Sequence, residues 1–198
     1  MGITKGNPAT YVNIEAEQAE VRRTGAPLLW TLANAIRRPG ISSIEKQVAE
    51  DFFDRIADEV LWAATEVYPA DEWKLLSQRF ISMQVRDRWR AAFAAGAKAV
   101  KVFTRDAGNR DRVAVKHEHV VPRRLLKVLI LTTTAAEQVH ALVQRSLGCV
   151  VTCVEDASLP TQGQGWERYI ERVRVFDRKE QREIDLKSAW ELQRAAWR

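Results

Sequence analysis

Apolar positions recur at three- and four-residue spacing through the first half of the chain and give way to short apolar runs in the second. Pro27 to Arg38 (PLLWTLANAIRR) predicts an apolar helix closed by Pro39-Gly40. Ser42 with Glu45 (S-S-I-E) forms a capping box that opens an amphipathic helix reaching roughly Tyr68, and Pro69 ends it. Within it, Ile44, Val48, Phe52, Ile56, Val60 and Leu61 predict one buried stripe. A further helix is predicted from Ala70 to Phe103, interrupted near Phe80.

Thr104 to Asp111 (TRDAGNRD) is polar and turn-like and marks the best boundary in the chain. Beyond it, Val113-Ala114-Val115 reads as a strand, with Val120-Val121 as its continuation or hairpin mate, ended by Pro122. Thr133 or Thr134 caps a helix reaching about Leu147, with Gly148 as its stop. Cys149 to Thr152 is a short apolar strand, and CVVTCVEDASL starts a helix after it. SLPTQGQGW is a loop, Arg172 to Phe176 (RVRVF) alternates like a strand, and Glu180 to Trp197 is a helix with the stripe Leu186, Trp190, Gln193 and Trp197. The expected fold is α+β, an N-terminal helical bundle packed on a small mixed ββα-like C-terminal half. The corresponding regions are residues 1–104, helical, and 105–198, mixed α/β, or else one continuous domain.

Composition narrows the class. With 46% hydrophobic and 29% charged residues the chain belongs among folded soluble proteins, and seven tryptophans imply a sizeable core or an aromatic contact surface. The net charge of +5 and a pI near 9.4 are compatible with a nucleic-acid partner. No apolar leader opens the N-terminus, MGITKG lacks the hydroxyl residue of a myristoylation signal, and no run is long enough to span a bilayer. Two cysteines exclude a disulfide framework and favour a reducing, cytoplasmic setting.

Candidate chemistry concentrates in VAVKHEHVVPRRLL, Val113 to Leu126, which holds two of the three histidines around a glutamate. In an extended strand His117 and His119 share one face and Glu118 points to the other. Two readings follow from that alternation. An H-x-H pair can offer both imidazoles to one metal, or Glu118 and His119 can divide the labour, one holding a metal and the other handling a proton.

Glu118 to Pro122 (E-H-V-V-P) resembles the strand of ββα-metal (HNH) nucleases, in which an acidic residue and a histidine precede an apolar pair and often a proline. The resemblance implies a metal-dependent phosphodiesterase acting on nucleic acid. In it His119 is the general base, Glu118 a metal ligand, and Asp156 the second ligand, at the helix position that usually carries histidine or asparagine. Glu155 lies beside that ligand, and His117 is a further metal candidate. Arg123, Arg124, Arg172 and Arg174 would hold backbone phosphates. The expected cofactor is magnesium or manganese, ahead of zinc. The chain departs from the pattern in lacking the glycine pair after the proline and in the long gap between His119 and Asp156.

Rival arrangements are fewer in supporting residues. Cys149 and Cys153 could join His117 and His119 in a zinc site, His140 in VHALV suits a helix surface, and Asp185-x-Lys187 is one fragment of another nuclease signature. Phosphate-loop, dinucleotide-binding and serine-hydrolase motifs are absent from the sequence. The alternative expectation for function is a non-catalytic regulator or inhibitor of mobile-element origin that binds nucleic acid or another protein through basic residues and tryptophans. Oligomeric state is not legible in the sequence.

Overall fold

The computed structural model describes residues 2–4, 11, 13–65, 78–96, 100–102 and 115–195. In chain order these form β1 (Gly2–Thr4), α1 (Glu15–Arg37), α2 (Ser43–Ala63), β2 (Phe80–Ser82), α3 (Met83–Ala94), β3 (Val100–Val102), β4 (Val115–His119), α4 (Arg123–Thr132), α5 (Ala136–Gln144), β5 (Gly148–Thr152), α6 (Cys153–Ser158), a 3-10 turn (Gly165–Tyr169), β6 (Val175–Asp177), β7 (Arg182–Glu183) and α7 (Leu186–Ala195). The fold is α+β. It divides into a helical unit, Ile14–Val67 with Val121–Leu147, and a sheet-bearing unit made of Met1–Asn13, Tyr68–Val120 and Gly148–Arg198. The boundary expected at Thr104–Asp111 lies outside the described residues.

In the helical unit α1 begins twelve residues before Pro27, which sits inside it, because Ala26, Leu29, Ala33 and Ile36 continue one buried face from Gly25 onward. Gly25 faces α2 so closely that a Cβ there would lie 2.4 Å from Val60 Cγ1, so a larger residue would push the two helices apart. The predicted capping box of α2 is present, with Ser42 Oγ accepting from Glu45 N and the Glu45 carboxylate accepting from Ser42 N. Its predicted stripe holds only in the second half of the helix: Ile44, Val48 and Phe52 are 77%, 63% and 51% exposed, Ile56 and Val60 are half-buried, and the buried face is Phe53, Ala57 and Leu61. Successive steps of four residues advance a side chain by about 40° around the helix, so a run at constant i+4 spacing winds away from the face it starts on. Residues Arg123–Thr132, for which no element was predicted, form α4. Thr133 follows it as C-cap, and α5 starts at Ala136 without a side-chain cap. Arg22 of α1 donates to the terminal carbonyls of Ala64 (2.9 Å) and Ser146 (3.3 Å), satisfying groups that a helix end leaves open.

The sheet of the second unit runs β4-β5-β2-β6-β7, with β2 parallel to β5 and every other pair antiparallel. A separate antiparallel pair joins β1 to β3. The helix predicted over Ala70–Phe103, interrupted near Phe80, is among its described residues a strand, a helix and a strand, with β2 at the place of the interruption. Residues 70–77, 97–99 and 103 lie outside the description. Gly148 is the first residue of β5 rather than a helix stop, and Val120 and Val121 bend out of β4. Arg172 and Arg174 precede β6, so the RVRVF strand begins only at Val175. The last helix is shortened to Leu186 by the β6–β7 hairpin, and Trp197 lies outside the description.

One face of this sheet carries a core of Ile81, Val85, Trp89, Val115, Val150 and Phe176, to which α3 contributes Val85 and Trp89. Both parallel strands end in a hydroxyl residue that caps the next helix. Ser82 Oγ accepts from Val85 N (3.1 Å), and Thr152 Oγ1 accepts from Glu155 N (3.1 Å). The buried Glu155 carboxylate ties the two caps together, accepting from Ser82 Oγ (2.7 Å), Thr152 N (2.9 Å) and Thr152 Oγ1 (3.0 Å).

Candidate functional site

The register of β4 on β5 fixes which residues share a face. His117 lies opposite Val150 and His119 opposite Gly148, while Lys116 lies opposite Val151 and Glu118 opposite Cys149. Directly opposed residues project to the same side of a sheet. Val115, His117 and His119 therefore face the side that carries Val150 and the core, and Lys116, Glu118, Cys149 and Val151 face the other.

On the core side the two imidazoles stack, with ring centroids 4.9 Å apart and planes 6° from parallel. His119 is buried. Gly148 makes room for this pair: a Cβ there would lie 2.3 Å from His117 Nε2 and 2.6 Å from the Oε1 of buried Gln78. A glycine at the start of β5 is thus required by the close approach of a side chain from β4.

On the opposite side the charged residues form two ion pairs. Lys116 Nζ is 2.5 Å from Asp156 Oδ2 on α6, and Arg168 Nη1 is 2.8 Å from Glu118 Oε1. Arg168 is held in place from three directions, since it also donates to the carbonyls of His119 (3.1 Å) and Pro160 (2.9 Å). The neighbouring 3-10 turn residues pack on this side as well. Trp166 meets Phe80 edge-on at 5.1 Å and Tyr169 at 5.3 Å. Tyr169 is fully buried, and its hydroxyl has no hydrogen-bond partner among the described residues.

The structure thus places Glu118 on one face of β4, with Asp156 of α6 on the same side through Lys116, and His117 and His119 on the other, so the general base and the metal ligands that the resemblance implies are not brought together. Cys149 lies on the Glu118 face, away from both histidines, so the four zinc candidates do not converge. No group of three or more His, Cys, Asp or Glu side chains among the described residues is placed to hold a metal ion. Arg123 and Arg124 belong to the helical unit, where Arg123 donates to Asp58 (3.0 Å) and lies over the Trp62 ring, and Arg124 is exposed. Arg172 and Arg174 are exposed. Arg172 donates to the Ser158 carbonyl (3.2 Å), and Arg174 is paired with Glu183 (2.7 Å). His140 is exposed on α5 and contacts Gln144. Asp185 caps α7 by accepting from Ser188 and Lys187, a helix-end role.

Comparison with known families, with curated proteins and with solved structures finds no match to this chain.

Three residues central to the site were given no role of their own by its sequence, although W-E-R-Y, Trp166 to Tyr169, reads as a segment that could pack against the motif. Lys116 was within reach, because alternation alone puts it on the Glu118 face. Arg168 and Tyr169 sit in W-E-R-Y, fifty residues from Glu118 in the case of Arg168, with no local pattern that links them. The chemistry of the face follows from its partners. The hydrogen bond to Asp156 raises the Lys116 pKa, so that ammonium is a fixed cation and not a base at neutral pH. Burial pushes the Cys149 thiol and the Tyr169 phenol well above their ordinary values, with the nearby Glu118 charge acting in the same direction on both. Both stay protonated, and Tyr169 keeps a proton to donate.

If the Glu118 and Asp156 carboxylates were to hold a cation, their hard oxygens would match magnesium or manganese, which are commonly held by one or two protein carboxylates plus substrate phosphate oxygens, better than zinc, which favours nitrogen and sulfur.

Proposed function

We propose that this chain binds the phosphodiester backbone of nucleic acid at the Glu118 face of β4 in the presence of a divalent cation, and cleaves it as an HNH-like endonuclease. One observation supports this reading above the others. Strand β4 pairs antiparallel with β5, which runs directly into helix α6, the pairing used by the ββα-metal motif; helices α4 and α5 are inserted between the two strands, and Glu118 and the Asp156 partner Lys116 share one face of β4. Glu118 and Asp156 would hold the cation, and Lys116 and Arg168 lie where a phosphate oxygen could take their charge. A cation bound there would stabilise negative charge on the phosphoryl and leaving oxygens. The resemblance would make His119 the proton acceptor, a role its ring could take only by leaving the core side of β4, and Arg168 donates to its backbone carbonyl.

A second reading, nucleic-acid binding without cleavage, is favoured by a specific feature. The His119 ring is 7% exposed and stacks on His117, on the opposite face from both carboxylates. A single comparison separates the two. Wild type, Glu118→Gln and His119→Ala are assayed for manganese-dependent cleavage and for binding of the same labelled oligonucleotides. The nuclease reading expects cleavage that falls at least about a hundredfold in both variants, the scale of a lost general base, with His119→Ala still binding. Binding without cleavage by wild type, unchanged in His119→Ala, overturns the nuclease reading in favour of the second.

A further inference from the structure

Each carboxylate on the Glu118 face is already neutralised by its own cation, and the two ion pairs differ in their surroundings. Lys116 is about half exposed, whereas the Arg168 side chain is 8% exposed. A dication that takes both carboxylates sets its charge against both cations and weakens both ion pairs. Released alone, the Arg168 guanidinium would stay largely buried without a counter-charge, which is among the more costly states a protein can adopt. An anion arriving with the dication removes that cost, because a phosphodiester gives Lys116 and Arg168 a new partner. A second observation points to a ligand at the same place. The Tyr169 hydroxyl is buried and unpartnered among the described residues, and the charged groups that act on it include Glu118, Arg168 and Asp156. Its one donor has no acceptor among the described residues.

We propose that Lys116 and Arg168 are exchange latches that link cation binding to phosphodiester binding: each cation shifts from its carboxylate to a phosphate oxygen as the dication takes the carboxylates. This rests on the reading of the Glu118 face as the cation and phosphate site, and adds how that face is kept closed. At rest the four charges cancel. A dication alone leaves the cluster with a double positive charge, and the phosphodiester lowers it. Coupling of this kind is reciprocal, so the factor by which the phosphodiester tightens cation binding equals the factor by which the cation tightens phosphodiester binding.

The test is manganese binding to the full chain, followed by electron paramagnetic resonance of free manganese, with and without dimethyl phosphate as a soluble analogue of the backbone. Wild type is compared with Lys116→Met, Tyr169→Phe and Glu118→Gln. Lys116 is the variant of choice because its half-exposed side chain can be removed without unfolding the chain, which Arg168→Ala would risk. Wild type is expected to bind manganese at least about tenfold more tightly with dimethyl phosphate than without it, a coupling within the ordinary range for linked sites. Lys116→Met should tighten manganese binding in the absence of the anion and reduce the enhancement several-fold. Tyr169→Phe should reduce the enhancement alone, and Glu118→Gln should abolish binding. Manganese binding that needs Glu118 but is unaffected by dimethyl phosphate overturns the latches and leaves the cation site standing. Binding that is absent under both conditions overturns the latches together with the site. Tight coupling in a protein that never cleaves nucleic acid upholds the latches while removing the nuclease reading.

Discussion

The two faces of β4 are five residues long and differ in almost every physical respect. One is closed by packing: Val115 joins the apolar core, and the two imidazoles stack over a glycine that leaves them just enough room. The other is closed by charge: Lys116 and Glu118 each reach a partner forty or more residues away. Packing of the first kind resists any change of shape, because interiors are as dense as organic crystals. Charge closure can exchange one partner for another without moving the backbone. The difference teaches where to look for function on this strand, namely on the face whose contacts can be substituted by a ligand.

Arg168→Ala removes a buried guanidinium that serves Glu118, the His119 carbonyl and the Pro160 carbonyl, and should cost about 3 kcal/mol in denaturant unfolding, near the lower end for a broken buried pair because Glu118 is partly exposed. Loss of under about 1 kcal/mol would show that this ion pair is not what closes the face.

Gly148→Ala probes the other side. Its Cβ would overlap His117 Nε2 and Gln78 Oε1, and overpacking of this order costs about 2 kcal/mol. His117→Ala in the same chain should recover most of that loss, giving a coupling of about 1 kcal/mol or more in a double-mutant cycle. Additive losses would mean that the histidine is not the group Gly148 accommodates.

The charged face also predicts how stability depends on pH. Cys149 and Tyr169 have folded-state pKa values above their ordinary ones, through burial. The unfolded chain therefore loses these protons first, and stability falls as pH rises. The contribution is complete below about pH 8.5, where an unfolded thiol begins to titrate, and declines above it by up to about 1.4 kcal/mol per pH unit for each group. Cys149→Ala should flatten the fall between about pH 8.5 and 10, and Tyr169→Phe should flatten it only above about pH 10. Equal slopes in the three proteins would contradict the burial of these two groups.

Much of this arrangement was legible in short-range pattern. The Ser42–Glu45 capping box, the strand from Cys149 to Thr152 with a helix carrying Asp156 after it, and the shared face of His117 and His119 all depend on residues within one or two turns of each other. What periodicity could not show was which side of α2 meets α1, since constant i+4 spacing winds around the helix and supplies no reference direction. Strand β2 was hidden because three residues pass directly into a helix whose cap, Ser82, is also the strand's last residue. The role of Glu155 was hidden for a related reason. Beside Asp156 it reads as a second acidic ligand, yet its carboxylate is taken up by Ser82 and Thr152. The ion pairs of Glu118 and Asp156 join positions fifty and forty residues apart, and no local rule selects such partners.

In the proposed reading Glu118 and Asp156 form one cation site on the charged face of β4, and the histidine face is not part of its shell. Calorimetric titration of manganese in the presence of dimethyl phosphate tests it most directly, on wild type, Glu118→Gln, Asp156→Asn, the double variant and His117→Ala. A single site predicts that either carboxylate substitution alone removes as much binding as both together, and that His117→Ala binds as wild type does. Full binding retained by Asp156→Asn, or binding lost in His117→Ala, would contradict it.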